Sequence, residues 1–166
     1  MGVSQADVQN RTQMAHRWSI AQTEGTGVHL TPSGGRETIL LVEDEDSVRL
    51  VITTVLRRQG YHVLEAATPR QATELFEKHA GQVDLLLADI VMPDMNGPAL
   101  AQRLVATRPE LRVLFISGYG APTSPFDTVN PHVSFLGKPF HVSGLTAKVR
   151  EALSRSLTRD QPGTKE

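Results

Sequence analysis

What most constrains this chain is a regular exchange between two hydrophobic periods. Short apolar, β-rich runs at 38–42 (TILLV), 61–66 (YHVLEA), 83–89 (VDLLLAD), 111–117 (LRVLFIS) and 132–138 (HVSFLGK) alternate with stretches of helical spacing. After the first run, Val48, Val51, Ile52, Val55 and Leu56 fall at i, i+3, i+4, i+7 and i+8. That is the stripe of a helix burying one face, and Gly60 supplies its C-terminal cap. Thr68-Pro69-Arg70-Gln71 reads as a helix start, with Thr as N-cap, Pro at the first position and Gln at the third. Ala72, Leu75 and Phe76 give that helix its inner face. Pro98 begins a third helix with Leu100, Leu104 and Val105 inward, and a last helix over residues 143–157 buries Leu145, Val149, Ala152 and Leu153.

Strands alternating with helices predict an α/β fold: a parallel sheet, right-handed crossovers, and helices on both faces. Runs 1, 3 and 4 are apolar on both alternations, as central strands are. Run 2 carries His62 and Glu65, which suits an edge. Between runs 4 and 5 lies GYGAPTSPFDTVNP, where Pro122, Pro125 and Pro131 argue against a full helix. At most two helical turns, or an irregular loop, are expected there. The division that follows is a polar, disordered leader and linker over 1–36 that ends in Pro-Ser-Gly-Gly, one domain over 37–157, and a solvated, disordered tail over 158–166. Within the leader, Trp18 and Ile20 offer anchors for a short docked helix, and GTGVHLTP has the look of an isolated strand.

Composition removes several function classes. Seventeen Lys and Arg against 18 Asp and Glu leave a net charge of −1, which gives no electrostatic case for nucleic acid or an anionic membrane. With no cysteine there is no disulfide framework and no thiolate chemistry. No apolar run approaches the roughly 20 residues of a membrane span, and no signal core opens the chain. A cytoplasmic protein is expected.

In a doubly wound sheet, ligands bind beyond the carboxyl ends of the strands. Those ends carry Glu43-Asp44, Asp89, Ser117 and Lys138. Alone, each has an ordinary reading: a helix N-cap or solvated acid, a favourable charge on a helix dipole, a turn serine, a surface lysine. Together, in order and each at a strand end, they form a constellation. Three converging carboxylates repel one another, and Mg²⁺, a hard cation that prefers oxygen, removes that penalty. A carboxylate beside Mg²⁺ and an ammonium is a nucleophile suited to phosphorus. The product would be an acyl phosphate on Asp89, with the Ser117 hydroxyl bonding the new phosphate.

The blocks ILLVEDE, DLLLADIVMPDMNG, VLFISGYG and FLGKPF resemble the signature blocks of the CheY-like receiver domain of two-component response regulators, most of all receivers of hybrid histidine kinases. The resemblance covers residues 37–157. It implies a (βα)5 sheet of flavodoxin-like order 2-1-3-4-5, here with a short or irregular fourth helix. It implies that Asp89 accepts a phosphoryl group, and that Glu43 and Asp44 hold Mg²⁺, with Asp44 preferred as the direct ligand. The Val91 carbonyl would complete the protein's metal ligands alongside Asp89. Ser117 and Phe135 would be the switch pair. Lys138 would contact the phosphate, and Lys138-Pro139 would be a cis peptide, which X-Pro bonds tolerate. Phe135 also reads simply as a core aromatic on an alternating strand. Val91 and Tyr119 sit two residues beyond Asp89 and Ser117, where the family tunes phosphoryl loss. Neither activates water well, which implies a slowly decaying phosphoryl state.

The expected function is phosphorelay signalling, not turnover catalysis. A histidine kinase or histidine phosphotransfer protein would donate, a downstream protein target would respond, and the protein would be a monomer or weak dimer. The nine residues after 157 are too few for an output domain, so action through protein contacts is expected, as a stand-alone regulator, a phosphorelay intermediate or a fragment of a hybrid kinase. Two other classes compete. One is a receiver-like interaction module that is never phosphorylated. The other is an aspartyl-phosphate phosphatase of the haloacid dehalogenase type, whose general acid/base two residues after the nucleophile is here Val91.

Overall fold

A computed structural model describes residues 36–79, 81–118 and 132–154. Five strands run β1 (Thr38–Val42), β2 (His62–Ala66), β3 (Val83–Asp89), β4 (Arg112–Ser117) and β5 (Val133–Gly137). Four helices are present among the described residues: α1 (Asp46–Arg58), α2 (Pro69–His79), α3 (Gly97–Thr107) and α4 (Val142–Ser154). All strand pairs are parallel, in the order β2-β1-β3-β4-β5. The expected doubly wound sheet is thus observed, with β2 at an edge.

Strand alternation divides the core. One parity of the sheet (Ile39, Leu41, Leu85, Leu87, Leu114, Ile116, Leu136) packs against α1 through Val48, Ile52 and Leu56 and against α4 through Leu145 and Val149. The other parity (Leu40, Val42, Leu86, Ala88, Val113, Phe115) meets Ala72 and Phe76 of α2 and Leu100 and Leu104 of α3. β1 and most of β3 and β4 are buried on both faces, which is why they read as unbroken apolar runs. Each fully buried Leu or Phe contributes about 1.5–3 kcal/mol.

The helix ends follow local chemistry. At the end of α1, the Gly60 amide donates to the Arg57 carbonyl and the Tyr61 amide to the Leu56 carbonyl. Gly60 has φ 93°, so this is a Schellman closure that a side chain there would strain. At the start of α2 the Thr68 hydroxyl accepts from the Gln71 amide, and Gln71 Oε1 accepts from the Ala67 amide. The expected box therefore forms, displaced by one residue on its return arm. The third helix begins one residue before Pro98, at Gly97, because Asn96 caps it: Asn96 Oδ1 accepts from the Ala99 amide at 2.8 Å. Lys138-Pro139 is cis. The expected short fourth helix, apart from Gly118 at its start, lies outside the described residues, as do the expectations for 1–35 and for everything beyond 154.

Candidate functional site

The three carboxylates come together because of register and parity. Val42 pairs with Ala88, so the next residues, Glu43 and Asp89, leave the sheet side by side. Glu43, Asp89 and Lys138 continue the parity of Leu41, Leu87 and Leu136, toward the α1/α4 side. Carboxylate oxygens of Glu43, Asp44 and Asp89 all lie within 4.8 Å of one another. Lys138 Nζ bridges two of them, donating to Asp89 Oδ2 at 2.7 Å and to Glu43 Oε2 at 2.9 Å. The Glu43 and Asp89 side chains are 1% and 6% exposed, against 15% for Lys138. Asp44 is half-buried at the mouth.

Burial sets the electrostatics. Desolvation pushes the Glu43 carboxyl up from 4.5 to about 7; the Lys138 ammonium opposes this, and the Asp89 charge adds to it. Burial alone would push the Lys138 amine down, but the combined pull of Glu43 and Asp89 leaves it raised. Lys138 thus bridges two of the three acids. The donor set is all oxygen and clustered at the span of a single coordination sphere. It fits a hard divalent cation such as Mg²⁺.

The loop after β3 is tightly built. Asp89 Oδ1 accepts from the Val91 amide at 3.0 Å, and Val91 itself is 40% exposed. The Met95 amide donates to the Pro93 carbonyl around Asp94, which has φ 68°. The Gly97 amide donates to the Ile90 carbonyl at 2.9 Å, folding α3 back onto Asp89. A Cβ on Gly97 would lie 2.4 Å from the Asp89 carbonyl oxygen.

Ser117 ends β4, buried, one residue beyond the row that holds Asp89 and Ile116. Its carbonyl accepts from the Lys138 amide at 2.6 Å, which ties the β5 end to the β4 end. Phe135 pairs with Phe115, two residues before the Ser117–Gly137 pair, and the two rings stack at 5.6 Å. So the structure gathers Glu43, Asp44, Asp89 and Lys138 into one cluster, ties Ser117 to Lys138 through the backbone at the neighbouring strand end, and leaves Phe135 two residues back along β5 from the Ser117–Gly137 row. The stretch from Met92 to Gly97 reads in sequence as the loop that shapes the site, but two contacts around it are visible only in the structure. Gly97 has a steric reason to be glycine, and Arg49 Nη1 donates to the Glu43 carbonyl at 2.8 Å. The only sequence signal for Arg49 was its i+3 spacing from Asp46, its second partner.

The model of the response regulator receiver domain matches residues 39–150. The chain belongs to this family. The receiver is 40% identical over 140 residues to the sensor kinase CckA of Brucella abortus, covering 82% of this chain but 14% of that protein. It is 35% identical over 116 residues to the response regulator receiver protein CpdR of the same organism, covering 69% of this chain and 95% of that one. The crystal structure of the receiver domain from the hybrid histidine kinase CckA superposes with a TM-score of 0.61 at 40% identity, over 70% of this chain and 98% of that one. A CheY-like receiver of two-component signalling is therefore established, in a family of signalling proteins generally not enzymes. No helix among the described residues is long and apolar enough to cross a membrane.

Proposed function

We propose that this receiver is phosphorylated on Asp89 in a Mg²⁺-dependent phosphorelay, in the cytoplasm, by a histidine kinase or a histidine phosphotransfer protein. The observation that carries the reading is the Lys138 bridge: a single ammonium between Asp89 and Glu43, among three carboxylates that share one span. Glu43, Asp44, Asp89 and the Val91 carbonyl would hold the cation. When bound, Mg²⁺ supplies positive charge to oxygens of the transferring phosphoryl group.

The chain's own groups supply the remainder. An Asp89 carboxylate oxygen attacks phosphorus in line. The P–N bond to the donor imidazole breaks, and the imidazole leaves with the electron pair and takes up a proton. Lys138, already within hydrogen-bonding distance of Asp89, neutralises charge on the group that arrives. The Ser117 hydroxyl, at the β4 end, turns to donate a hydrogen bond to a phosphoryl oxygen. Phe135, stacked on Phe115 in the same wall, repacks as Ser117 moves, and the altered surface contacts the downstream protein.

Beryllofluoride with Mg²⁺ tests this, since it mimics the phosphoryl group on an aspartate. Amide NMR shifts at Ser117 and Phe135 are expected to move when both are added. If both stay put, the protein is a receiver-like interaction module without a phosphorylation switch.

A further inference from the structure

We propose that Arg49 is a positioning residue for cation binding, acting through the backbone of the acidic loop between β1 and α1. The inference rests on the Mg²⁺ reading above and deepens it. That loop and the start of α1 carry four consecutive acids, Glu43 to Asp46, whose mutual repulsion favours splaying. Lys138 answers the Glu43 carboxylate, and Arg49 answers the loop from α1. Its guanidinium donates through Nη1 to the Glu43 carbonyl at 2.8 Å and through Nη2 to Asp46 Oδ1. The Arg49 side chain is 17% exposed, while that of Asp46 is 89% exposed. The outer ion pair is therefore weak, and the inner, charge-assisted bond to a backbone oxygen is the one that holds geometry.

The same loop has a second closure, from the Glu45 amide to Glu43 Oε1 at 3.2 Å. A cation drawing on the Glu43 carboxylate competes with that bond. The Arg49 strap does not use the carboxylate, so it persists with the site loaded. It fixes the peptide that carries both Glu43 and Asp44.

Charge and strap make opposite predictions, which makes the inference testable. A cation beside a cation site repels the ion, so on charge alone removing Arg49 tightens binding. Losing the strap weakens it. Mg²⁺ would be titrated calorimetrically into the full chain and into the Arg49→Lys and Arg49→Gln variants, with urea unfolding of each alongside. Both variants are expected to bind Mg²⁺ about tenfold more weakly, the scale of an outer-sphere orienting contact. Lys keeps the charge but cannot span both acceptors, so its loss isolates the strap. Either variant binding within twofold of the wild-type chain, or Arg49→Gln binding more tightly, overturns the proposal. So does a lowered unfolding midpoint with unchanged Mg²⁺ affinity of the folded protein. Should Arg49→Gln not fold, Arg49→Lys decides alone. A wild-type chain that binds no Mg²⁺ overturns the functional reading and this inference with it. Variants that match a binding wild type overturn only the inference.

Discussion

Replacing Gly97 by alanine pits two effects of known size against each other. At the first turn of α3, alanine is intrinsically the better helix former by up to about 1 kcal/mol, and it also restricts the unfolded chain. Against that stands the 2.4 Å approach of the new Cβ to the Asp89 carbonyl oxygen, with the Asp89 carbonyl carbon and Ile90 Cα each at 3.2 Å. A comfortable C···O contact is about 3.3 Å, so one backbone must yield by roughly 0.9 Å. Both backbones are anchored, because the Gly97 amide is bonded to the Ile90 carbonyl and Asp89 is hydrogen-bonded within the sheet. Overpacking of this kind costs about 1–3 kcal/mol, so after a gain of up to about 1 kcal/mol the variant should be less stable by up to about 2 kcal/mol. Gly144 is the control. It lies in α4 with nothing within 4 Å of its would-be Cβ, so Gly144→Ala should stabilise by about 0.5–1 kcal/mol. Urea unfolding of both variants, with the slope unchanged, reads the two signs. Because the displaced oxygen belongs to Asp89, phosphorylation of Gly97→Ala should also slow. A Gly97→Ala protein as stable as wild type, or gaining as Gly144→Ala does, refutes the steric argument.

Three further outcomes are expected. Lys138→Met leaves Glu43 and Asp89 buried without their cation, which should cost about 3 kcal/mol at pH 8 without divalent ions and less at pH 5.5, where Glu43 holds its proton; urea midpoints at the two pH values check this. In the cation-free wild-type protein the raised Glu43 pKa means that the folded state holds a proton the unfolded state has released. That stabilisation is fully present below pH 4.5 and lost as pH rises through about 7, at most about 3 kcal/mol; Glu43→Gln should flatten this part of the stability profile. Asn96→Ala removes the cap on the Ala99 amide and should cost about 1 kcal/mol by thermal or urea unfolding.

The legible part of this protein is the part that strand ends write into sequence. Glu43, Asp89 and Lys138 each interrupt an apolar run, and parallel topology alone brings such interruptions to one edge. The helices were legible because their apolar stripes and the Gly60 and Thr68 signals agree with the packing. What sequence did not carry were contacts across chain segments. Nothing local tells that Gly97 touches the backbone of Asp89, eight residues back. The reach of Arg49 to the Glu43 carbonyl, just past the end of β1, depends on how α1 leaves the sheet. The start of α3 was misplaced by one residue because Pro98 is a stronger textual signal than the Asn96 cap that determines it. Parity explains a further difference within the acidic pair. Glu43 continues the inward alternation of β1 and is fully buried, whereas Asp44 turns to the half-exposed rim.

The central claim is that Asp89 accepts a phosphoryl group with Mg²⁺ present, and intact mass tests it most directly. The protein would be incubated with acetyl phosphate, with and without Mg²⁺, beside Asp89→Asn. The account predicts a gain of about 80 Da, one phosphoryl group, in the wild-type chain with Mg²⁺ and in neither control. A gain that survives in Asp89→Asn, or no gain under any condition while a known receiver is labelled in parallel, would contradict it.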